Sequence, residues 1–438
     1  MRHVRLKLAL MQGSAAGFIL ATCLGCLGRS TSESDALQRH IARVEHGLAP
    51  ALIGRLVTNE HFTRSLQQRM QELHIQGVSV AVIHDGRLEW AKGYGVTEVG
   101  GLPVTPATLF QAGSISKPVS AVAALCMVEQ NRLALDSNVN DKLVSWKVPD
   151  SPSANGRVVT LRELLTHTAG IGVHGFPGYA VGESAPNLID VLDGLPPAKT
   201  PPIRVESMPG EQWNYSGGGY TILQQLLIDV SGRDFPSFMH DTVLIPMGMA
   251  ASTYQQPLPD VLRTSAASPF DALGKSVGGG VHTYPEMAAA GLWTTPSDLA
   301  RFSLGLTAAL QGKGEKVLST DMSRTMLMPG KGNWGLGLEI GGSPKERYFK
   351  HSGVNAGYQS VLFVYEDGRD GAVVMTNADR GAVLADEIIR SIAAEYHWPD
   401  YRSLSLLSPL PVFLAVTILA AVFIFVRFIL RSFRTRFR

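Results

Sequence analysis

Cysteine is scarce in this chain of 438 residues: there are three, Cys23, Cys26 and Cys126. The first two fall in an apolar run near the start, so Cys126 stands alone in the remainder and an internal disulfide framework is excluded there. In the apolar stretch 121–128, Cys126 reads as a small buried hydrophobe rather than a reactive thiol. Metal-binding signatures are missing too. There is no His-Glu-x-x-His and no His-x-His-x-Asp, and no metal or other cofactor is implied. The glycine-rich run 332–342 lacks the strand, turn and helix of a nucleotide site. No internal repeat or low-complexity tract interrupts a composition that is globular in kind. Charge of one sign is also lacking, with 39 Lys and Arg against 37 Asp and Glu and a formal net charge of +2. Much of the basic surplus sits at the ends, in Arg2, Arg5 and Lys7 and in Arg427, Arg431, Arg434, Arg436 and Arg438, a membrane pattern rather than a nucleic-acid face.

Residues 1–27 join a basic start to an apolar run from Leu8 to Leu27, which reads as a secretory signal. Leu20-Ala21-Thr22-Cys23 comes close to a lipoprotein cleavage box, although Thr22 fits it poorly, and an uncleaved anchor is the alternative. Leu404 to Val426 is free of charge and almost wholly apolar, long enough at about 1.5 Å per residue to cross a bilayer core of about 30 Å. The expectation is a membrane helix over 404–426, with a buried helix of a soluble domain as the alternative, and a basic cytoplasmic tail over 427–438. The division is then a signal at 1–27, a lead-in at 28–58, a globular domain at 59–398, and that helix and tail. In a bacterium this places the domain on the inner membrane, facing the periplasm or exterior.

Along the chain, His61 to Leu73 suits a lead-in helix. Val78 to Ile83 and Arg87 to Gly95, joined through Asp85-Gly86, predict a β-hairpin. Helical patterns follow at Leu161–His167, at Tyr220–Val230 stopped by Ser231-Gly232, and at Ser297–Leu310 after a Thr-Thr-Pro-Ser start. The Gly- and Pro-rich stretch 170–212 is long and irregular, as functional loops often are. Alternation returns at Gln359–Tyr365 and Gly371–Asn377, before a closing helix at Val383–His397. Strands at both ends with helices between predict an α+β fold, one antiparallel sheet assembled from both ends of the chain beside a largely helical subdomain.

The single Ser-x-x-Lys runs from Ser114 to Lys117, and a spacing of three puts hydroxyl and amine on one helix face. A helix start here sets the hydroxyl over unpaired N–H groups, and Pro118 fits only near such a start, which predicts a tight, irregular first turn. Taken alone the motif also fits a surface serine beside a solvated lysine. Two further stretches can complete a site. Tyr215 precedes Gly217-Gly218-Gly219, where backbone approaches closely, and beside an ammonium on Lys117 its phenolate is expected to be favoured and to take the Ser114 proton. His351-Ser352-Gly353 stands just before a β run, where a strand edge can offer an N–H to an oxyanion. A loop aromatic and a turn histidine are the plainer alternatives for Tyr215 and His351.

Ser-x-x-Lys, then Tyr-Ser-x, then His-x-Gly, in that order, resembles the serine β-lactamase and penicillin-binding protein superfamily, most closely the branch of class C β-lactamases, D-Ala-D-Ala carboxypeptidases and related esterases. Leu164 to Gly170, Pro246 to Met249, Gly291 to Phe302 and Gly353 to Ser360 extend the likeness over about residues 60–397. The resemblance implies a β-lactamase/transpeptidase-like fold and Ser114 as nucleophile, with Lys117 and Tyr215 as the proton-transfer pair. It implies an oxyanion hole from the backbone N–H groups of Ser114 and Val354, and a cleft lined by His351, Ser352, Gly353 and Gly217. The expected activity is a serine hydrolase acting through an acyl-enzyme on an ester, amide or peptide, with cell-wall fragments among the partners. Two departures weigh against efficient β-lactam turnover. Gly217 stands where many relatives have Asn, and His351 where many have Lys, a poorer anchor for a carboxylate. An efficient class C-like β-lactamase and a non-catalytic sensor or scaffold remain the alternatives. His167 reads as structural, packing the end of its helix.

Overall fold

The computed structural model describes residues 34–49, 63–314 and 317–399. Strands form at β1 Gly77–His84, β2 Arg87–Gly95, β3 Phe110–Gln111, β4 Trp293–Thr294, β5 Glu339–Ser343, β6 Glu346–Asn355, β7 Tyr358–Tyr365 and β8 Gly371–Thr376. The helices that position the site are α1 Leu66–Glu72, α2 Ser116–Glu129, α3 Leu161–Leu165, α4 Gly217–Ser231, α5 Pro296–Leu310 and α6 Gly381–Glu395. One six-stranded sheet runs in the order β2-β1-β8-β7-β6-β5, every neighbouring pair antiparallel. The β1–β8 pairing, Val78 opposite Thr376 through Ile83 opposite Gly371, joins the two ends of the chain.

Successive side chains on a strand point to opposite faces, and here both faces are covered. Val78, Val80 and Val82 of β1 pack with Leu384, Ile388 and Ile392 of α6, Leu66 and Met70 of α1, and Ile41 and Val44 from the helical residues 34–46. Ala81 and Ile83 face the larger core, which holds Leu299, Phe302 and Leu306 of α5. That core continues into the helical layer around α2, buried from Ser116 to Met127. The β1–β2 turn places Asp85 at φ 48 and Gly86 at φ 73, the left-handed pair that a two-residue hairpin requires.

The predicted fold is corrected in one respect. It included a membrane helix at 404–426, and among the described residues no helix is long and apolar enough to cross a membrane. Residues 404–426 themselves, with the signal at 1–27 and the tail at 427–438, lie outside the described residues. Among the described residues the fold class is the mixed α and β arrangement, with no membrane-crossing helix. Four strands were not anticipated, the two-residue β3 and β4 and the longer β5 and β6. β5 reads Glu-Ile-Gly-Gly-Ser, low in β-propensity, and the first half of β6 reads Glu-Arg-Tyr-Phe-Lys, with no alternation of apolar and polar residues; β6 pairs with β7 and β5 with β6. His351 to Gly353 therefore lie inside a strand rather than just before one.

Arg69 of α1 ties the outer layer together, donating from Nε and Nη2 to the two carboxylate oxygens of Glu387 on α6, each at 2.7 Å. Both partners are buried, so Arg69→Met leaves a carboxylate without its counter-charge. The expected loss in urea unfolding is about 3–5 kcal/mol. Arg233→Met, which breaks the exposed pair with Asp241, is expected to cost less than about 1 kcal/mol in the same measurement.

Candidate active site

β3 runs into a single 3-10 turn, Gly113–Ile115, before α2 begins at Ser116. Pro118 is the third residue of that helix, where its missing N–H belongs to the unpaired first turn. Ser114 thus sits on a tight turn held from several sides. Ser116 Oγ donates to Gly113 O at 2.6 Å and accepts from Leu292 N at 3.0 Å, and Ser360 Oγ donates to Ala112 O at 2.7 Å. β6 lies directly against the turn. A Cβ on Gly353 would fall 1.9 Å from Ala112 O, and one on Gly113, at φ 52, would fall 2.5 Å from Val354 N. Glycine at both positions is what lets Val354 N come beside Ser114.

Lys117 is 2 % exposed, and its Nζ donates to Ser114 Oγ at 2.9 Å and to Ala289 O at 2.9 Å. Neither partner is a carboxylate, so burial brings the amine down to about 7. The Tyr215 phenol lies beside Ser114, and its ring centroid lies 5.0 Å from Lys117 Nζ. Burial pushes that phenol above its ordinary value, and the nearby Ser114 side chain offsets only part of the rise. The expected pairing of phenolate with ammonium is therefore corrected: desolvation penalises both charges, the phenol stays neutral, and the amine beside it is neutral above about pH 7.

His351 is 4 % exposed and its Nδ1 donates to Ser352 O at 2.7 Å. Burial first, then the nearby Lys117, lowers it to about 3, so the imidazole is neutral near pH 7. Its ring lies 6.3 Å from that of Tyr215. Ser352 and Val354 are exposed and Gly353 is buried. Gly217, the first residue of α4, donates its N–H to His174 O at 3.0 Å, and a Cβ there would meet Phe176 Cε2 at 2.8 Å. The Phe176 ring and the His174 carbonyl thus occupy the place where a side chain at 217 would begin.

Some members of the site carry no signal in the sequence. The carbonyl of Ala289 is identical to any other until the fold brings it to Lys117. Trp334 packs edge-on to Tyr215 and His351 at 5.8 and 5.5 Å, yet nothing in its sequence setting marks it. Asn355 Nδ2 bridges Gln111 Oε1 at 2.7 Å and Ala290 O at 3.0 Å, tying the end of β6 to β3. His167 lies with its ring 4.3 Å from that of Tyr215, and the Leu-Leu-Thr-His-Thr-Ala-Gly stretch around it was the available sign. Among the described residues no group of three or more His, Cys, Asp or Glu could hold a metal ion.

The family described as Beta-lactamase matches residues 62–396. Protein flp of Staphylococcus aureus (strain N315) is 24% identical over 243 residues, 55% of this chain and 45% of the relative. The chain thus spans less than half the length of that protein. Penicillin-binding protein 4 of Amycolatopsis lactamdurans is 26% identical over 361 residues, 76% of this chain and 89% of the relative. Among solved structures, the octameric penicillin-binding protein homologue from Pyrococcus abyssi superposes with a TM-score of 0.63 at 25% identity, covering 75% of each chain. The D-alanine carboxypeptidase AmpC from Burkholderia cenocepacia gives a TM-score of 0.59 at 20% identity, over 75% of this chain and 96% of the other, a likeness of fold.

The burial of Lys117 makes a direct prediction. In protein carrying ¹³C-labelled lysine, one side-chain resonance is expected to titrate with a midpoint near 7 and to vanish in Lys117→Arg. Exposed lysines titrate at about 10.4. A Lys117 signal moving with them would mean that the amine is solvated.

Proposed function

The chain belongs to the beta-lactamase family, and from that premise we propose that it is a serine hydrolase of the penicillin-binding-protein and carboxypeptidase kind. The observation that carries this reading is Ser114 Oγ held by the buried Lys117 amine at 2.9 Å, with the Tyr215 ring 5.0 Å from that amine. In the proposed reaction Ser114 Oγ attacks a carbonyl carbon and its proton passes to the neutral amine of Lys117. The oxyanion that forms is met by the N–H groups of Ser114 and Val354, preorganised donors in a dry site. The ammonium then returns a proton, through the neighbouring Tyr215 phenol, to the departing amine or alkoxide. An ester on Ser114 results, and water cleaves it.

For the substrate we favour a short acyl ester first, and after it a peptide with a D-amino acid end whose carboxylate stays in solvent, over a β-lactam. A neutral His351 offers no positive charge to a carboxylate near pH 7, and Gly217 offers no amide side chain. The name of the Amycolatopsis lactamdurans relative, a penicillin-binding protein, supports binding of penicillins, which is a separate matter from fast turnover. An exported location for the domain belongs to the same proposal, on the support of the basic start and the apolar run 8–27.

A fluorophosphonate or fluorescent penicillin is expected to label the protein, with the modified peptide containing Ser114. Loss of the nucleophile in Ser114→Ala is expected to lower ester or peptide turnover by at least about 10³-fold. The labelling rate should rise with pH through about 7, as Lys117 loses its proton, and level above it. Labelling at another residue, or efficient cephalosporin hydrolysis exceeding ester and peptide cleavage, would count against the assignment.

A further inference from the structure

We propose that His167 is the positioning residue for Tyr215, fixing the phenol from both sides of its own backbone. The inference rests on the reading of Ser114, Lys117 and Tyr215 as the reacting groups. α3 ends at Leu165, and the chain then turns through His167 at φ 59, a left-handed conformation rare for a side chain of this size. That turn brings two acceptors of one residue to the two neighbours of Tyr215. The carbonyl of His167 accepts from Asn214 N at 2.8 Å, and its ring Nδ1 accepts from Ser216 N at 3.1 Å. Between these two bonds stands Tyr215, whose ring lies 4.3 Å from the imidazole at 35°. The phenol can move neither along the chain nor off the ring without losing one of three contacts.

The rest of the surroundings make the clamp stiff. Ser216 is the N-cap of α4, its Oγ accepting from Gly219 N at 3.0 Å and donating to Gly172 O at 2.9 Å, so its N–H is the group left for His167 to hold. His167 is 2 % exposed and packed on its remaining sides by Tyr220 and Trp334, with ring centroids at 5.4 and 5.2 Å. Because Nδ1 accepts, the ring proton is on Nε2, which has no hydrogen-bond partner among the described residues. A charged imidazole would carry a proton on Nδ1 and lose the Ser216 bond. Burial, then Lys117, His351 and His174, all hold the ring well below its ordinary value, on the side the clamp needs. A plain packing role at the end of α3 requires an apolar ring there. It does not require an acceptor at the Nδ1 position.

The test compares four proteins for p-nitrophenyl acetate turnover and fluorophosphonate labelling of Ser114: wild type, His167→Leu, His167→Asn and His167→Gln. A misplaced proton relay costs rate rather than affinity, so His167→Leu is expected to lower kcat by about 10²-fold with KM within about twofold. Asparagine tolerates left-handed backbone, and its Oδ1 falls where Nδ1 lies, so His167→Asn is expected to recover to within about tenfold of wild type. Glutamine places its amide one bond further and is expected to stay about tenfold slower than asparagine. In a Tyr215→Phe background His167→Leu should cost no more than about twofold, because the group it positions is already gone. A His167→Leu protein with wild-type kcat overturns the inference, as do losses that multiply with Tyr215→Phe. Should the leucine variant fail to fold in a thermal melt, asparagine no faster than glutamine overturns it in the same way. A wild-type protein that neither cleaves the ester nor takes the label overturns the hydrolase reading itself; one that does both, beside an equally fast His167→Leu, overturns this inference alone.

Discussion

A primary amine buried without a carboxylate is the constraint around which this molecule is arranged. Among the described residues Lys117 donates only to the hydroxyl of Ser114 and the carbonyl of Ala289, two neutral acceptors that hold an amine without fixing its proton. An ammonium in such a place loses its hydration with little in return, and the free-energy balance moves toward the neutral form. Keeping water away needs a large apolar surround. The all-round burial of α2, the core that runs from its flanks to one face of the sheet, and the aromatic rings of Tyr215 and Tyr220 near Nζ supply it.

The same constraint explains why the sheet is assembled from both ends of the chain. Ser114 must be near the edge of β6, and that strand belongs to a meander that starts more than two hundred residues later. The β1–β8 pairing fixes the meander to the first hairpin, while Ser360 on β7 and Asn355 at the end of β6 bond to the backbone and side chain of the Ala112–Gln111 segment. Because strands are stiff and α5 and α6 cover the two faces, the distance between β6 and the turn at Ser114 is set by packed cores rather than by loops. The two glycines at 113 and 353 bring the backbones closer than side chains would permit.

Much of this architecture was readable from residue pattern. The hairpin at 77–95 carried its Asp-Gly turn, β7 and β8 were found from alternation although both are buried on both faces, and α5 carried a threonine cap followed by proline. The Ser114, Lys117 and Tyr215 set was legible because spacing and order are sequence properties. What escaped is physical in kind. α4 starts at Gly217 rather than Tyr220, since helix propensity argues against three glycines and only the Ser216 cap and the close approach of residues 172–176 favour them there. β5 and β6 escaped because their pairing is imposed by neighbours. The protonation states escaped because burial, which decides them, is a tertiary property: a sequence places phenol near amine, and only the fold says that the phenol is neutral and that the amine loses its charge from about pH 7.

That last point bears on how such a site can discriminate. Above about pH 7 the side chains that form it, Lys117, Tyr215, His167 and His351, are all neutral, each held so by burial. The polarising elements left are dipoles: the backbone N–H groups beside Ser114 and the strand edge of β6. Dipoles fixed in a dry cleft stabilise a charge that appears during reaction without first attracting one that is already present. A substrate that arrives with its own carboxylate must keep that group in solvent, where Ser352 and Val354 are exposed, or bury it against a neutral imidazole at a desolvation cost. A neutral acyl group meets no such cost. Below about pH 7 the situation reverses, because protonated Lys117 restores a cation to the cleft while removing the base that Ser114 needs. In the proposed reaction, attraction of an anion and activation of the nucleophile therefore draw on opposite protonation states of one amine. A site of this composition cannot have both at one pH, which is the physical reason to look first among uncharged acyl donors.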